Sequence, residues 1–260
     1  MKYNIVLLVT GAVLAFVVPV VVSVVWTKKK GEHFSTVLVG AACFLLFAIV
    51  LEKPLQNVLA FPVLMGLPEH AVSRFLNARP VLWAFVLGLF PGLFEETGRL
   101  VAFRTLLRKR TNRETAVTFG VGYGGFEVLF ILGMTYVSYI AVYALIKSGA
   151  YRSFPEETLP QFFAIALEID SFSLGTLALA IVERIFAVLF HIGLSITVFH
   201  ACRDRKYILY LLAILLHTAL DFVAALNTTG AAMLPVWALE TIIVVSGSGV
   251  FLFSYRFFYL

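Results

Sequence analysis

Glu95 and Glu96 stand side by side in the stretch LWAFVLGLFPGLFEETGRLVAF, with Arg99 one helical turn later. An ionisable side chain in so apolar a run costs about 3 kcal/mol to insert, so a doubled one calls for a function. Two carboxyls beside a guanidinium can divide the work, one ionised as a general base and the other held in an ion pair, which is the arrangement that activates a water. Three further pairs sit four residues apart and so share a helix face: Tyr123 with Glu127, His191 with Ser195, and His217 with Asp221. Histidines facing the acids can bind the oxyanion of a tetrahedral intermediate or pass a proton to a leaving amine. Peptide hydrolysis uses all of these parts. A structural ion pair between the carboxyls and Arg99 is the plain alternative.

The elements that must position these groups follow from composition. Of 260 residues, 61% are hydrophobic and 13% charged, and the mean hydropathy is +0.96, which describes an all-α, polytopic bundle of transmembrane helices. Seven spans are read at 4–26, 33–51, 81–103, 115–147, 172–201, 207–226 and 232–254. Segment 52–80, with Pro54, Pro62 and Pro68 around a short apolar stretch, is a candidate eighth, re-entrant or interfacial element. The first span is retained rather than cleaved, because Lys28 to Lys30 follow it without a small-residue cleavage site. With no repeat and no linker, residues 1–260 read as one integral membrane domain whose motif-bearing core is 81–226.

Net charge is +5, but the basic residues lie in short loops, where membrane orientation explains them and nucleic acid is not implied. Lys28 to Lys30, Arg104 to Arg113 and Arg203 to Lys206 mark one side, and the acidic 148–170 loop marks the other. This places the amino terminus outside and the carboxyl terminus in the cytoplasm. At the helix rise, Glu95 and Glu96 lie roughly 12–14 Å in from the basic side, Tyr123 and Glu127 roughly 15–21 Å, His191 roughly 18 Å, and His217 and Asp221 roughly 16–23 Å. Four spans thus bring their ionisable groups to one layer, as a chamber open to the cytoplasmic side requires. Glycines 120, 122, 124 and 125 clear space around Tyr123 for a neighbouring helix or a substrate backbone. Arg184, two turns before His191, is placed to neutralise a carboxylate of the Glu pair, while Glu183 points elsewhere.

No cofactor is required by this chemistry. No HExxH helix is present, yet His191, His217 and a Glu or Asp can supply three ligands to one divalent metal such as zinc, so a metal stays open as the alternative. Ser195 is a weak candidate nucleophile, being offset along the axis from the His191 ring.

FEETGRL, GVGYGGFEVLF, FHIGLS and LLHTALDF, in that order on successive helices, resemble the motifs of the CAAX-protease-related intramembrane proteases, in particular the YhfC and PrsW branches. The resemblance spans roughly 81–226. It implies a metal-independent glutamic mechanism in which Glu95 is the general base, Glu96 with Arg99 orients it, and His191, His217 and Asp221 bind the oxyanion and assist proton transfer. Two departures stand out. The prenyl-protein branch has EExxxR and FxxxH, whereas here the arginine comes one residue sooner and Tyr123 stands where that histidine would. Tyrosine is a poor base at neutral pH, so prenyl-protein processing is disfavoured and Glu127 gains importance.

The implied partners are a membrane-embedded or membrane-associated protein substrate and the lipid bilayer, in a prokaryotic plasma membrane; the oligomeric state is left open. Two other classes stay in view. The arrangement also resembles a scaffold subunit of gamma-secretase, a non-catalytic membrane protein, and buried carboxylates can serve a proton-coupled transporter. His33, His70, His200 and the two cysteines read as structural, and Glu240 as a helix-to-helix hydrogen bond on the outer half.

Overall fold

In lipid, a backbone N–H or C=O has no partner but its own helix, and long runs of Val, Leu, Ala and Phe answer that constraint. The computed structural model describes residues 2–259, and among them there is no strand. The helices are α1 (Lys2–Lys30), α2 (Phe34–Phe44), α3 (Lys53–Ala60), α4 (Ala71–Asn77), α5 (Pro80–Arg104), α6 (Arg113–Glu127), α7 (Met134–Ser148), α8 (Leu159–Ser171), α9 (Leu174–Arg203), α10 (Ile208–Thr228) and α11 (Val236–Ser254). Stretches Leu45–Glu52 and Val128–Gly133 are π-helical and join α2 to α3 and α6 to α7 without a break. Seven of the resulting helices are long and apolar enough to cross a membrane: Asn4–Lys30, Phe34–Leu59, Pro80–Arg104, Arg113–Ser148, Leu174–Arg203, Ile208–Thr228 and Val236–Tyr259.

Successive spans alternate in direction. At one end Arg110 bonds the hydroxyls of Ser35 and Thr36, Arg113 reaches the Tyr259 carbonyl at 2.5 Å, and the Arg104 guanidinium lies over the Tyr207 ring. At the other end Asn4 donates to the carbonyls of Ile169 and Asp170, and Leu7, Leu8, Tyr136, Ile169, Phe172 and Leu177 form a small apolar core. The larger core lies among α2, α5, α6 and α9, with Phe119, Tyr123, Leu194 and Val198 fully enclosed.

Two expectations change. Span two does not stop at residue 51: the helix continues through Glu52, Lys53 and Pro54 to Leu59. Pro54 lies in the first turn of α3, where the π-helical stretch before it relieves the clash that a proline makes inside a regular helix. Beyond Leu59 the segment holds only a short turn (Pro62–Met65) and the seven-residue α4, too short to cross, as its prolines imply. The 148–170 loop, in turn, contains α8, whose thirteen residues are too few to span; Pro160 starts it and Ile169 buries against the α1 end.

Glycine lets the site-bearing helices approach closely. A Cβ at Gly88 of α5 would sit 2.5 Å from the Phe222 nitrogen of α10, and one at Gly120 of α6 would sit 2.7 Å from the Ile192 Cα of α9. The glycines around Tyr123 are thus filled by neighbouring helices, with Gly122 on Val37, Gly124 on Val188 and Gly125 on Pro19. They are not open to a substrate backbone.

Candidate active site

Four spans deliver the polar layer: α5 carries Glu95, Glu96 and Arg99, α6 Tyr123 and Glu127, α9 His191, and α10 His217 and Asp221. All of these meet in one contiguous group. Arg99, completely buried, is its hub. Its Nη1 pairs with Glu96 Oε1, its Nη2 lies 2.6 Å from His191 Nδ1, its Nε donates to Ser195 Oγ at 3.4 Å, and its guanidinium carbon sits 4.0 Å from the centre of the Tyr123 ring. A guanidinium offers donors only. His191 Nδ1 must therefore be the bare nitrogen, and the ring proton falls on Nε2, which lies 2.5 Å from Glu127 Oε2.

The two adjacent carboxyls differ in their surroundings. Glu96 Oε1 takes both the Arg99 guanidinium and the His217 Nδ1 proton, the latter at 2.7 Å. Glu95 Oε2 accepts from the Tyr123 hydroxyl at 2.9 Å and faces His217 Nε2 at 3.7 Å, which in turn lies 3.5 Å from Asp221 Oδ2. These last separations are charge contacts at or just beyond hydrogen-bond length, with no room for a water between the atoms. Asp221, with 35% of its side chain exposed against 9% for Glu95, marks the open side of the group.

Arg184 does not reach the Glu pair. It bonds Glu127 Oε1 at 2.7 Å and the neighbouring Glu183, so its role is to hold Glu127 from the far side. The reason is distance along α9: two turns below His191, Arg184 meets α6 at the level of Glu127, a turn away from Tyr123. Ser195 donates to the His191 main-chain carbonyl at 2.7 Å, which turns it away from any nucleophilic role. Glu240 Oε2 is buried without a hydrogen-bond partner among the described residues, so the expected helix-to-helix bond from that oxygen is not made.

One group was missed by sequence reasoning. Glu52 is completely buried, and neither of its oxygens has a hydrogen-bond partner, although Lys53 Nζ lies 3.5 Å from Oε1. Its position follows from Pro91. Lacking an N–H, Pro91 leaves the Leu87 carbonyl of α5 free, and Gln56 Nε2 takes it at 3.1 Å. Glu52, one turn before Gln56 on the same face, is thereby aimed at α5, within electrostatic reach of Glu95, His217 and Asp221. The signal available was the polar pair Glu52 and Gln56 at helical spacing, hidden by Pro54.

Ligand atoms of Glu95, His191 and His217 lie within 4.8 Å of one another. Two imidazoles and a carboxylate are a zinc-type donor set, and Glu96 on His217 Nδ1 is the carboxylate that such sites place behind a ligating histidine. The set fits a divalent cation in type and spacing. One rearrangement is needed, because both His191 nitrogens are engaged: freeing Nε2 for a cation would move its proton to Nδ1 and give up the Arg99 contact there.

A profile of the family described as YhfC intramembrane metalloprotease matches residues 14–244, which contain every residue of this group. The chain is also 28% identical over 233 residues to the uncharacterized membrane protein YhfC of Bacillus subtilis (strain 168), covering 87% of this chain and 86% of that protein. No solved structure matches. The chain is an integral membrane protein of seven apolar helices, and with nearly its whole length matched it belongs to the YhfC intramembrane metalloprotease family.

Proposed function

We propose that this chain is an intramembrane peptidase that hydrolyses peptide bonds of membrane-embedded or membrane-associated proteins, using a water activated by Glu95. The observation that carries the reading is the unequal treatment of two neighbouring carboxylates: Glu96 is committed to Arg99 and His217, while Glu95 accepts a hydrogen bond from Tyr123 alone among the described residues and lies 3.7 Å from His217 Nε2, beside the partly exposed Asp221. A water entering from the Asp221 side gives a proton to Glu95 as its oxygen attacks the substrate carbonyl. Once Glu95 carries that proton, the Tyr123 hydroxyl is released to turn to the oxyanion, and His217 donates from Nε2 when its ring is doubly protonated. Glu95 then returns the proton to the leaving amine, which regenerates the carboxylate. Arg99 and Glu96 position the histidines, and Asp221 orients the water from the open side.

A second reading keeps the same residues and is supported by the spacing of Glu95, His191 and His217, which would hold a divalent cation. When bound, that ion would polarise a water or a carbonyl as a Lewis acid. Glu127 and Asp221 are then the carboxylates left to accept a proton. The chain is read as one domain with its motif-bearing core at 81–226, in a prokaryotic plasma membrane, with the amino terminus outside and the basic end in the cytoplasm.

The test is cleavage of a library of membrane peptides by purified protein in bilayers. Glu95→Gln is expected to abolish cleavage while the fold persists. Activity that survives chelation supports the Glu-activated water, and loss that zinc restores supports the metal reading. Wild type that cuts nothing, with Glu95→Gln altering only capture of a membrane protein, hands the molecule to the scaffold class; ion-coupled flux in liposomes hands it to the transporters.

A further inference from the structure

Away from this site, at the basic end of the bundle, the last turns of α5 and α9 and the loops that follow them line an open-sided pocket of about 360 Å³. Arg104, Arg108, Arg110, Arg203 and Arg205 all line it, together with Tyr207. Arg203 is paired with Asp204 at 3.0 Å, and Arg110 spends its guanidinium on the hydroxyls of Ser35 and Thr36. Arg104, Arg108 and Arg205 have no carboxylate partner among the described residues. The ends of α5 and α9 contribute about half a negative charge each, so with Asp204 included about three positive charges remain unmatched around one small space.

Membrane orientation alone does not require this convergence. Positive charge anywhere in a short loop serves that purpose, as the exposed run Lys28, Lys29 and Lys30 does at the end of α1. Arg205 adds a second, independent observation. It is the one non-glycine residue among those described with positive φ, at 57°, a left-handed backbone that a β-carbon disfavours and that persists where surrounding structure holds it. That conformation closes the turn between α9 and α10 and brings Arg205 onto the cavity wall. Guanidinium forks match the oxygens of phosphate in pairs, and the ends of the spans lie at the depth of lipid headgroups.

We propose that this cavity is a phosphate-binding site, filled at the membrane surface by the headgroup of an anionic phospholipid, with Arg104, Arg108 and Arg205 as its principal donors. The proposal does not depend on the peptidase reading, because none of these residues touches the Glu95 group.

The test uses the full-length protein, stripped into phosphatidylcholine nanodiscs and titrated with phosphatidylglycerol, with bound lipid read by native mass spectrometry. Wild type is expected to retain phosphatidylglycerol at least tenfold more tightly than phosphatidylcholine. Replacing the three arginines together (Arg104→Gln, Arg108→Gln, Arg205→Gln) is expected to remove that preference. Replacing Lys28, Lys29 and Lys30 by Gln, the same loss of charge outside the cavity, is expected to leave it within about twofold. Inorganic phosphate serves as competitor: displacement of the lipid at low concentration identifies a site for free phosphate as well, and persistence of the lipid identifies the headgroup as the ligand. Absence of lipid preference in wild type, or equal loss in the two triple variants, overturns the proposal. Should the arginine triple variant fail to fold, Arg205→Gln alone, in an exposed turn, carries the same comparison.

Discussion

The Tyr123 hydroxyl donates to Glu95 Oε2 at 2.9 Å, while the face of its ring carries the Arg99 guanidinium at 4.0 Å. One side chain thus touches both halves of the group, the carboxylate proposed to act on water and the cation that anchors its neighbour. The ring is also fixed edge-on against Phe44, with centroids 5.3 Å apart.

Tyr123→Phe separates the two contacts. The ring keeps its packing on Phe44 and Arg99, and only the hydrogen bond to Glu95 is lost. A hydrogen bond to a charged group contributes about 1.5–3 kcal/mol, so cleavage is expected to fall by roughly 10- to 100-fold with the thermal midpoint lowered by a few degrees. Cleavage rates and melting of the same preparation check it; unchanged cleavage removes Tyr123 from the site.

Arg99 and Glu96 should behave as a pair. Arg99→Leu leaves a buried carboxylate without its cation, which costs about 3–5 kcal/mol. Adding Glu96→Gln removes the stranded charge while keeping an acceptor for His217 Nδ1, so the double variant is expected to recover most of that stability. Neither variant regains cleavage, because the His191 ring has lost the donor that fixes its proton on Nε2. Denaturation of wild type, Arg99→Leu, Glu96→Gln and the double variant forms a double-mutant cycle, and a coupling near zero would show that the ion pair is idle.

Glu52 tests whether the buried group extends beyond the residues that the motifs reveal. An enclosed carboxylate without hydrogen bonds is costly to keep charged, so Glu52→Gln is expected to leave the melting temperature unchanged or raise it. If the group works with Glu95, His217 and Asp221, cleavage drops at least tenfold and its pH profile changes shape, which a purely structural residue would not cause. A stable variant with wild-type rate and wild-type pH profile assigns Glu52 to packing.

The legibility of the chain divides along physical lines. Hydropathy located the seven spans because the bilayer sets their length, and the common depth of Glu95, Tyr123, Glu127, His191, His217 and Asp221 followed from helix rise alone. Glu52 was hidden because Glu-Lys-Pro reads as the end of a span, and only the π-helical stretch before Pro54 keeps the helix going. The partner of Arg184 was equally out of reach, since it depends on how α9 is set against α6 along the axis, and that register comes from glycine contacts such as Gly120 on Ile192. Helix α8 escaped notice because its thirteen residues are bounded by proline and acidic side chains that look like loop.

Register also supplies the last prediction. Gly88 and Gly92 set α5 against the α10 backbone, on the face just below the Glu pair, and the distance between those axes fixes the gap from Glu95 to His217. A methyl at Gly88 would press on the Phe222 main chain at 2.5 Å, and backbone cannot swing aside as a side chain would. Gly88→Ala is therefore expected to force α5 and α10 apart at a cost of about 1–3 kcal/mol. Cleavage should fall further than stability, because a displacement near 1 Å at the reacting groups can cost about 100-fold in rate. Gly175→Ala, where an added methyl would meet the Ser173 hydroxyl at an ordinary 3.6 Å, is the control and should change neither quantity appreciably. Equal, small effects of the two substitutions on cleavage would mean that the α5 to α10 spacing does not set the site.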